Sequence, residues 1–423
     1  MRSRYAIRPR LEHLEERATP ASVQVAAGNL IVRDPVGPLA VIHLGGGAFQ
    51  VADNASNVVV GGVGTSVNII GSNKADTVIF NANNPFGGRL LINTAGGNDT
   101  ILALGTVGGN AVLLTGAGND TIVANNLKVG GNLTVVDNSG KNSYSINGNN
   151  VVGGFFSARG FSEFNLNASK LTVGRDLVVS APLVGPGLAF NAGPASELFV
   201  GKNWSVLGYS KADQVNVLGT VNVNGNTTLN LGGGNNSIEI NTVGDSTLAG
   251  NFRVQSGFGD DIVVLDGLLT IGGIGSVFLG DGANLLSLGA FGAVEANGNW
   301  SINVGNGTGN TLVFDVGATF YGTVNLTVGN GDANLALFNT APAGLLTFRG
   351  GNGSGNVLAL NAGDVAINAR FGNGLDPASN ILDLSGGLAT LTGVVQGSNF
   401  AGANLLSQGL AELLDIRLIG FPS

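Results

Sequence analysis

The chain has 423 residues, no cysteine, two histidines, and charge on only 11% of its positions. Lacking cysteine, it has no disulfide framework, no thiol nucleophile and no thiolate metal centre. The only histidines are His13 and His43, and no basic residue lies between Arg253 and Arg349. That leaves few groups for general acid and base work. No run of 18 apolar residues occurs, so no segment is suited to crossing a bilayer as a helix. Nor does the apolar core of a standard signal peptide follow the basic start.

What is abundant is glycine, at 71 residues, within a chain that is 43% hydrophobic. So much apolar content excludes a disordered polymer, and the lack of a three-residue glycine period excludes collagen. The pattern is set between Ala95 and Val136, where AGGNDTILALGTVGGNAVLLT is followed at once by GAGNDTIVANNLKVGGNLTVV. Each copy has a turn ending in Asn-Asp, a short apolar segment, a Val-Gly-Gly-Asn turn and a second apolar segment. That reads as two strands and two turns.

The Asn-Asp slot recurs as Asp76, Asp99, Asp120 and Asn142, then as Asn236, Asp261, Asn284, Asn310, Asn334, Asn356 and Asn380. Intervals of about 21 to 26 residues point to a solenoid. Two and four residues after the slot the side chain is apolar, as in Val78 and Phe80, Ile101 and Ala103, or Leu312 and Phe314, and the position between is free to be polar. Period-two alternation fits strands with one buried and one wet face. The second turn aligns Asn110, Asn132, Asp176, Asn203, Asn226, Asn251 and Asn299, each followed by inward pairs such as Leu133 and Val135 or Trp204 and Val206. No single unit can bury its own apolar face, so the units must stack. The fold class expected is all-β, a single-domain right-handed parallel β-helix of roughly 14 rungs at about 4.8 Å each. Residues 1–21 read as a leader or sorting segment, 22–70 as an N-terminal cap with irregular first turns, 71–395 as the β-helix and 396–423 as a C-terminal cap. In the tail, Leu410, Leu413 and Leu414 have helical spacing.

Residues 1–18 carry five arginines and three glutamates, so the remainder holds a net charge near −10. Such a body is a poor partner for nucleic acid. The run RPRLEHLEERATPA, through Leu11, Glu12, Leu14, Glu15, Arg17, Pro20 and Ala21, resembles the N-terminal leader of large surface or secreted proteins of planctomycete bacteria. The resemblance covers under a tenth of the chain and implies export.

The Gly-Asn-Asp turns, GGNDTI and GAGNDTI, resemble the glycine-rich calcium repeats of RTX proteins. That resemblance implies calcium as a cofactor and Asp99, Asp120, Asp260 and Asp261 as metal ligands, with Asp281 and Asp332 behind them. Here, however, there is one such turn per unit and the slot is mostly Asn. The alternative role is a hydrogen-bonded ladder that satisfies the turn backbone. For a polysaccharide-cleaving site, adjacent Asp260 and Asp261 supply paired carboxylates, yet neighbours on a strand point to opposite faces. Arg175 and Lys202 occupy equivalent slots of successive units, and Trp204 and Trp300 fall in the inward register. The expectation is therefore a non-enzymatic, exported cell-surface or matrix protein of structure or adhesion, whose partners are surface polymers or other surface proteins. A secreted calcium-binding repeat protein is the alternative, and a polysaccharide-active enzyme stands behind it.

Overall fold

The computed structural model describes residues 21–361, 363–372, 380–383, 388–397 and 416–419. The chain is all-β over these residues, wound into about 14 stacked coils whose strands pair in parallel with the coil before and the coil after. This is a β-solenoid. The apolar column begun at Ile101 runs unbroken through Ile122, Tyr144, Phe164, Phe190, Val215, Ile238, Val263, Leu286, Leu312, Ala336 and Leu358 to Leu382, each in register with the next. All are buried, and each large aliphatic removed from water supplies about 1.5–3 kcal/mol of driving force. Glu239, Ser287 and Asp383 alternate with them on the outer side.

Each coil has three faces, one more than the sequence pattern suggested. Face A holds the strands after the Gly-Gly-Asn turn, such as Ala111–Ala117 and Leu133–Ser139. Face B holds those after the slot, such as Thr100–Val107 and Thr121–Val129, and the far ends of the same strands bend onto a third face, C. The bend falls at Gly105 (φ +90°), Asn126 (φ +51°) and Gly148 (φ +70°) in successive coils. These are the residue types that tolerate left-handed backbone. A side chain on Gly105 would also strike the backbone of Ala82 one coil earlier, its Cβ lying 2.1 Å from the carbonyl carbon. A polar outer position continues across this bend, so period-two reading merges the two strands into one.

The N-terminal end departs from the parallel pattern. Ser22–Ala26 pairs antiparallel with Asn29–Arg33, and Leu39–Gly45, Ala48–Ala52 and Asn57–Val60 form an antiparallel meander. Asp53 ties this end together. One carboxylate oxygen accepts the amides of Ala21 (3.0 Å) and Val36 (3.1 Å), and the other accepts those of Ala55 (2.9 Å) and Ser56 (2.6 Å). Burial opposes the charge, but these amides and the Ser56 hydroxyl outweigh it and hold the Asp53 carboxyl down at about 2. At the other end Ile416–Ile419 is a strand beside Leu388–Gly397. Leu410, Leu413 and Leu414 lie outside the described residues, as does the leader through residue 20. No helix among the described residues is long and apolar enough to cross a membrane.

Candidate functional site

The slot residues sit at the turn from face A to face B, buried between coils. Their backbone amides need acceptors there, because an unpaired buried N–H is costly. Most find one in the next slot side chain. The Asp76 amide donates to Asp99 Oδ1 (2.8 Å), that of Asp99 to Asp120 Oδ1 (2.7 Å), and that of Asp120 to Asn142 Oδ1 (2.9 Å). The ladder pauses where Ser162 and Leu188 occupy the slot. It resumes from Leu188 to Asp213, then Asn236, Asp261, Asn284 and Asn310, with amide to Oδ1 distances of 2.5–3.1 Å. Asn310 reaches Asn334 (3.3 Å), and Asn356 reaches Asn380 (3.1 Å).

A second ladder lines the exposed turn from face C to face A, and it runs the other way. Here the amide of the later coil donates to the side chain of the earlier one. Asn132 donates to Asn110 Oδ1 (3.0 Å), Asn226 to Asn203 (2.9 Å) and Asn251 to Asn226 (2.9 Å).

The buried ladder distinguishes Asn from Asp. Asn284 spends its Nδ2 on the carbonyls of Gly280 (2.9 Å) and Gly282 (3.2 Å), closing its own turn. An ionised Asp has no such donor. Accordingly Oδ2 of Asp99, Asp120, Asp213 and Asp261 is buried without a well-formed hydrogen bond. Burial raises the pKa of Asp76, Asp99 and Asp261, and it carries Asp213 to about 6 against the amides of Leu188 and Tyr209. Asp137 goes furthest. Burial and the neighbouring Asp120 carboxyl push it to about 8, although the Thr115 hydroxyl and Ser139 amide pull the other way.

The four aspartates proposed as calcium ligands thus have definite places. Asp99 and Asp120 meet in adjacent coils. Asp261 is buried several coils away, between Asn236 and Asn284. Asp260 is exposed on the outside of the same turn, where its Oδ1 accepts the Ala283 amide (2.8 Å). Asp260 and Asp261 therefore diverge. Asp281 and Asp332 accept the amides of Asn306 (2.7 Å) and Ser354 (2.6 Å) in the same manner. Among the described residues no group of three or more His, Cys, Asp or Glu side chains gathers as metal ligands would.

The other candidates are structural in their surroundings. Trp204 and Trp300 are fully buried. Lys202 follows Arg175 in register, its amide donating to the Arg175 carbonyl (2.9 Å). His43 is buried against Phe49, with Nδ1 2.7 Å from the Asn84 carbonyl oxygen. The proline-rich insertion around Pro182 and Pro186 walls a cavity of about 160 Å³ together with Tyr209 and Lys211. Asp213 borders it, but Asp213 Oδ2 turns into the backbone, where a Cβ on Gly208 would lie 1.9 Å away. Asp137 and Asp213 were missed in the sequence because Asp137 lies off the slot column and the pattern is lost around Asp213. Comparison of the chain with protein-family models, with curated proteins and with solved structures gave no match.

Proposed function

We propose that the protein is a non-enzymatic structural or adhesive rod, exported to the cell surface or extracellular matrix. The observation that carries this reading is the ladder. The carboxylates Asp99, Asp120 and Asp261, which a hydrolase would turn toward a substrate, are buried and bonded to amides of neighbouring coils. Polar residues spent in this way make a stiff object about 65 Å long, at about 4.8 Å per coil. Residues 1–21, whose charge differs from that of the body, serve in this reading as the export or sorting element. Fractionation of cells expressing the full chain and a chain lacking residues 1–21 tests it, read out by protease accessibility on intact cells. The full chain is expected outside and the truncated chain inside, soluble and β-rich. A full chain retained in the cytoplasm overturns the reading.

A further inference from the structure

Charge on the outer surface is sorted by face. The outward side chains along face A include Arg33, Arg89, Arg159, Arg253, Arg349 and Arg370, all exposed, and no Glu or Lys among the described residues; the exposed carboxylate on these strands is Asp364, near the C-terminal end. The glutamates go elsewhere. Glu163 and Glu239 are on face B, and Glu197 and Glu295 are on face C. Two ion pairs lie off face A, joining Lys141 to Glu163 (3.3 Å) and Lys170 to Glu197 (2.9 Å). In a body with net charge near −10, one face carries six exposed arginines against the single carboxylate of Asp364 among the described residues.

We propose that the outer surface of face A is a docking track for a linear acidic polysaccharide, its arginines receiving the carboxylate or sulfate groups. The track is long. Arg33 and Arg370 are fourteen strand steps apart, about 67 Å at about 4.8 Å per step. Arg349 and Arg370 are direct neighbours in register. The charge type is suited to the task, because the guanidinium fork pairs two-point with planar oxyanions, whereas Lys offers a point charge. Apart from Asp364, the described surface between the arginines is uncharged and rich in hydrogen-bonding groups. Ser301, Asn325, Thr327, Thr347 and Arg349 border an open groove of about 270 Å³. Widely spaced arginines bind a sparse polyanion by adding many weak contacts. The acidic residues of faces B and C repel the same polymer and so confine it to face A. Duplex nucleic acid, with a charge every ~1.7 Å, meets that repulsion more strongly.

This inference rests on the extracellular reading, but its test does not. Purified full-length chain is titrated at low salt with polygalacturonate, dextran sulfate, neutral dextran and duplex DNA. Two triple variants are compared with it. One is Arg253→Gln, Arg349→Gln and Arg370→Gln, and the other is Lys128→Gln, Lys202→Gln and Lys211→Gln, which removes the same charge from other surfaces. The expected result is binding to an anionic glycan and not to neutral dextran, weakened about tenfold or more by the arginine changes and nearly unaffected by the lysine changes. The proposal is overturned by no binding to either anionic glycan, by equal weakening in both variants, or by tighter binding to DNA. Fractionation can fail while this binding stands, and the reverse, so the two readings are separable.

Discussion

Trp300 stacks on a residue that has no side chain. It pairs in register with Gly275 one coil earlier, and a Cβ built on Gly275 would fall 2.3 Å from both Cδ2 and Cε2 of the indole. Trp300, one of the largest fully buried side chains, is thus accommodated by the coil beside it as much as by its own.

Replacing Gly275 by Ala is expected to cost about 1–3 kcal/mol through overpacking, and Trp300→Ala about 3–5 kcal/mol through the cavity it leaves. Gly275→Ala combined with Trp300→Leu should cost less than the sum of the single changes, because the clash disappears with the ring. Urea denaturation of the three variants measures this. Strict additivity would show that the two residues do not press on each other.

Stability should decline from acid toward alkaline pH. Asp137 and Asp213 have folded-state values of about 8 and 6, above the ordinary aspartate value of 3.8. The folded state therefore holds more protons than the unfolded one between these limits. Linkage makes the stability supplied by these groups fully present below about 3.8 and lost progressively as pH rises through about 6 and then about 8. Other carboxylates act oppositely in strong acid, Asp53 among them with its value of about 2. Melting curves at pH 5, 7 and 8.5 test the decline, and Asp137→Asn should flatten it. A melting temperature that climbs across that range contradicts the account.

The ladder makes a directional forecast at neutral pH. Asp120→Asn should be neutral or stabilising, because the amide adds the donor that the carboxylate lacks. Asn310→Ala should destabilise by about 1–3 kcal/mol. It strands the buried Asn284 amide, which donates to Asn310 Oδ1 at 3.0 Å, and removes one of the three contacts of Asn284 Nδ2, at 2.9 Å. Hydrogen exchange at the Asn284 amide reports the break locally, and unchanged protection there would refute it.

Calcium is expected to raise the melting temperature only slightly, since a ligand stabilises according to its affinity for the folded state and the slot carboxylates already accept neighbouring amides. Calorimetry with calcium and then a chelator decides. A large shift abolished by Asp99→Ala together with Asp120→Ala would establish the RTX-like alternative.

The parallel stack was legible in the sequence because burial repeats at a fixed interval. Ile101, Ile238 and Leu382 could be assigned to one column while nearly 300 residues apart. The third face was not legible. The bend at Gly105, Asn126 and Gly148 uses residues that also punctuate ordinary strands and turns, and faces B and C run on with the same alternation. Trp204 and Trp300 could be placed inside from register alone. The raised pKa of Asp137 could not, since it comes from burial and from the Asp120 carboxyl of the coil before, against the pull of Thr115. The arginine track was invisible for a related reason, because residues 33 and 370 share a face only once every intervening coil has been counted.

The opposed polarity of the two ladders gives growth from the N-terminal end a definite sequence of bond formation. In the exposed ladder a newly laid coil donates to an acceptor already in place, so docking is rewarded at once. In the buried ladder the newest coil instead presents an amide whose acceptor has not yet arrived, as the Asp99 amide does until Asp120 is added. Growth from the N-terminal end thus leaves one unmet demand at each step, and the next coil meets it. Pulse-labelled hydrogen exchange during refolding should show the amides of Asp99, Asp261 and Asn284 becoming protected one coil later than those of Asn132, Asn226 and Asn251 relative to their own strands. The rod would then wind forward like a ratchet, each slot amide satisfied only when the next coil closes.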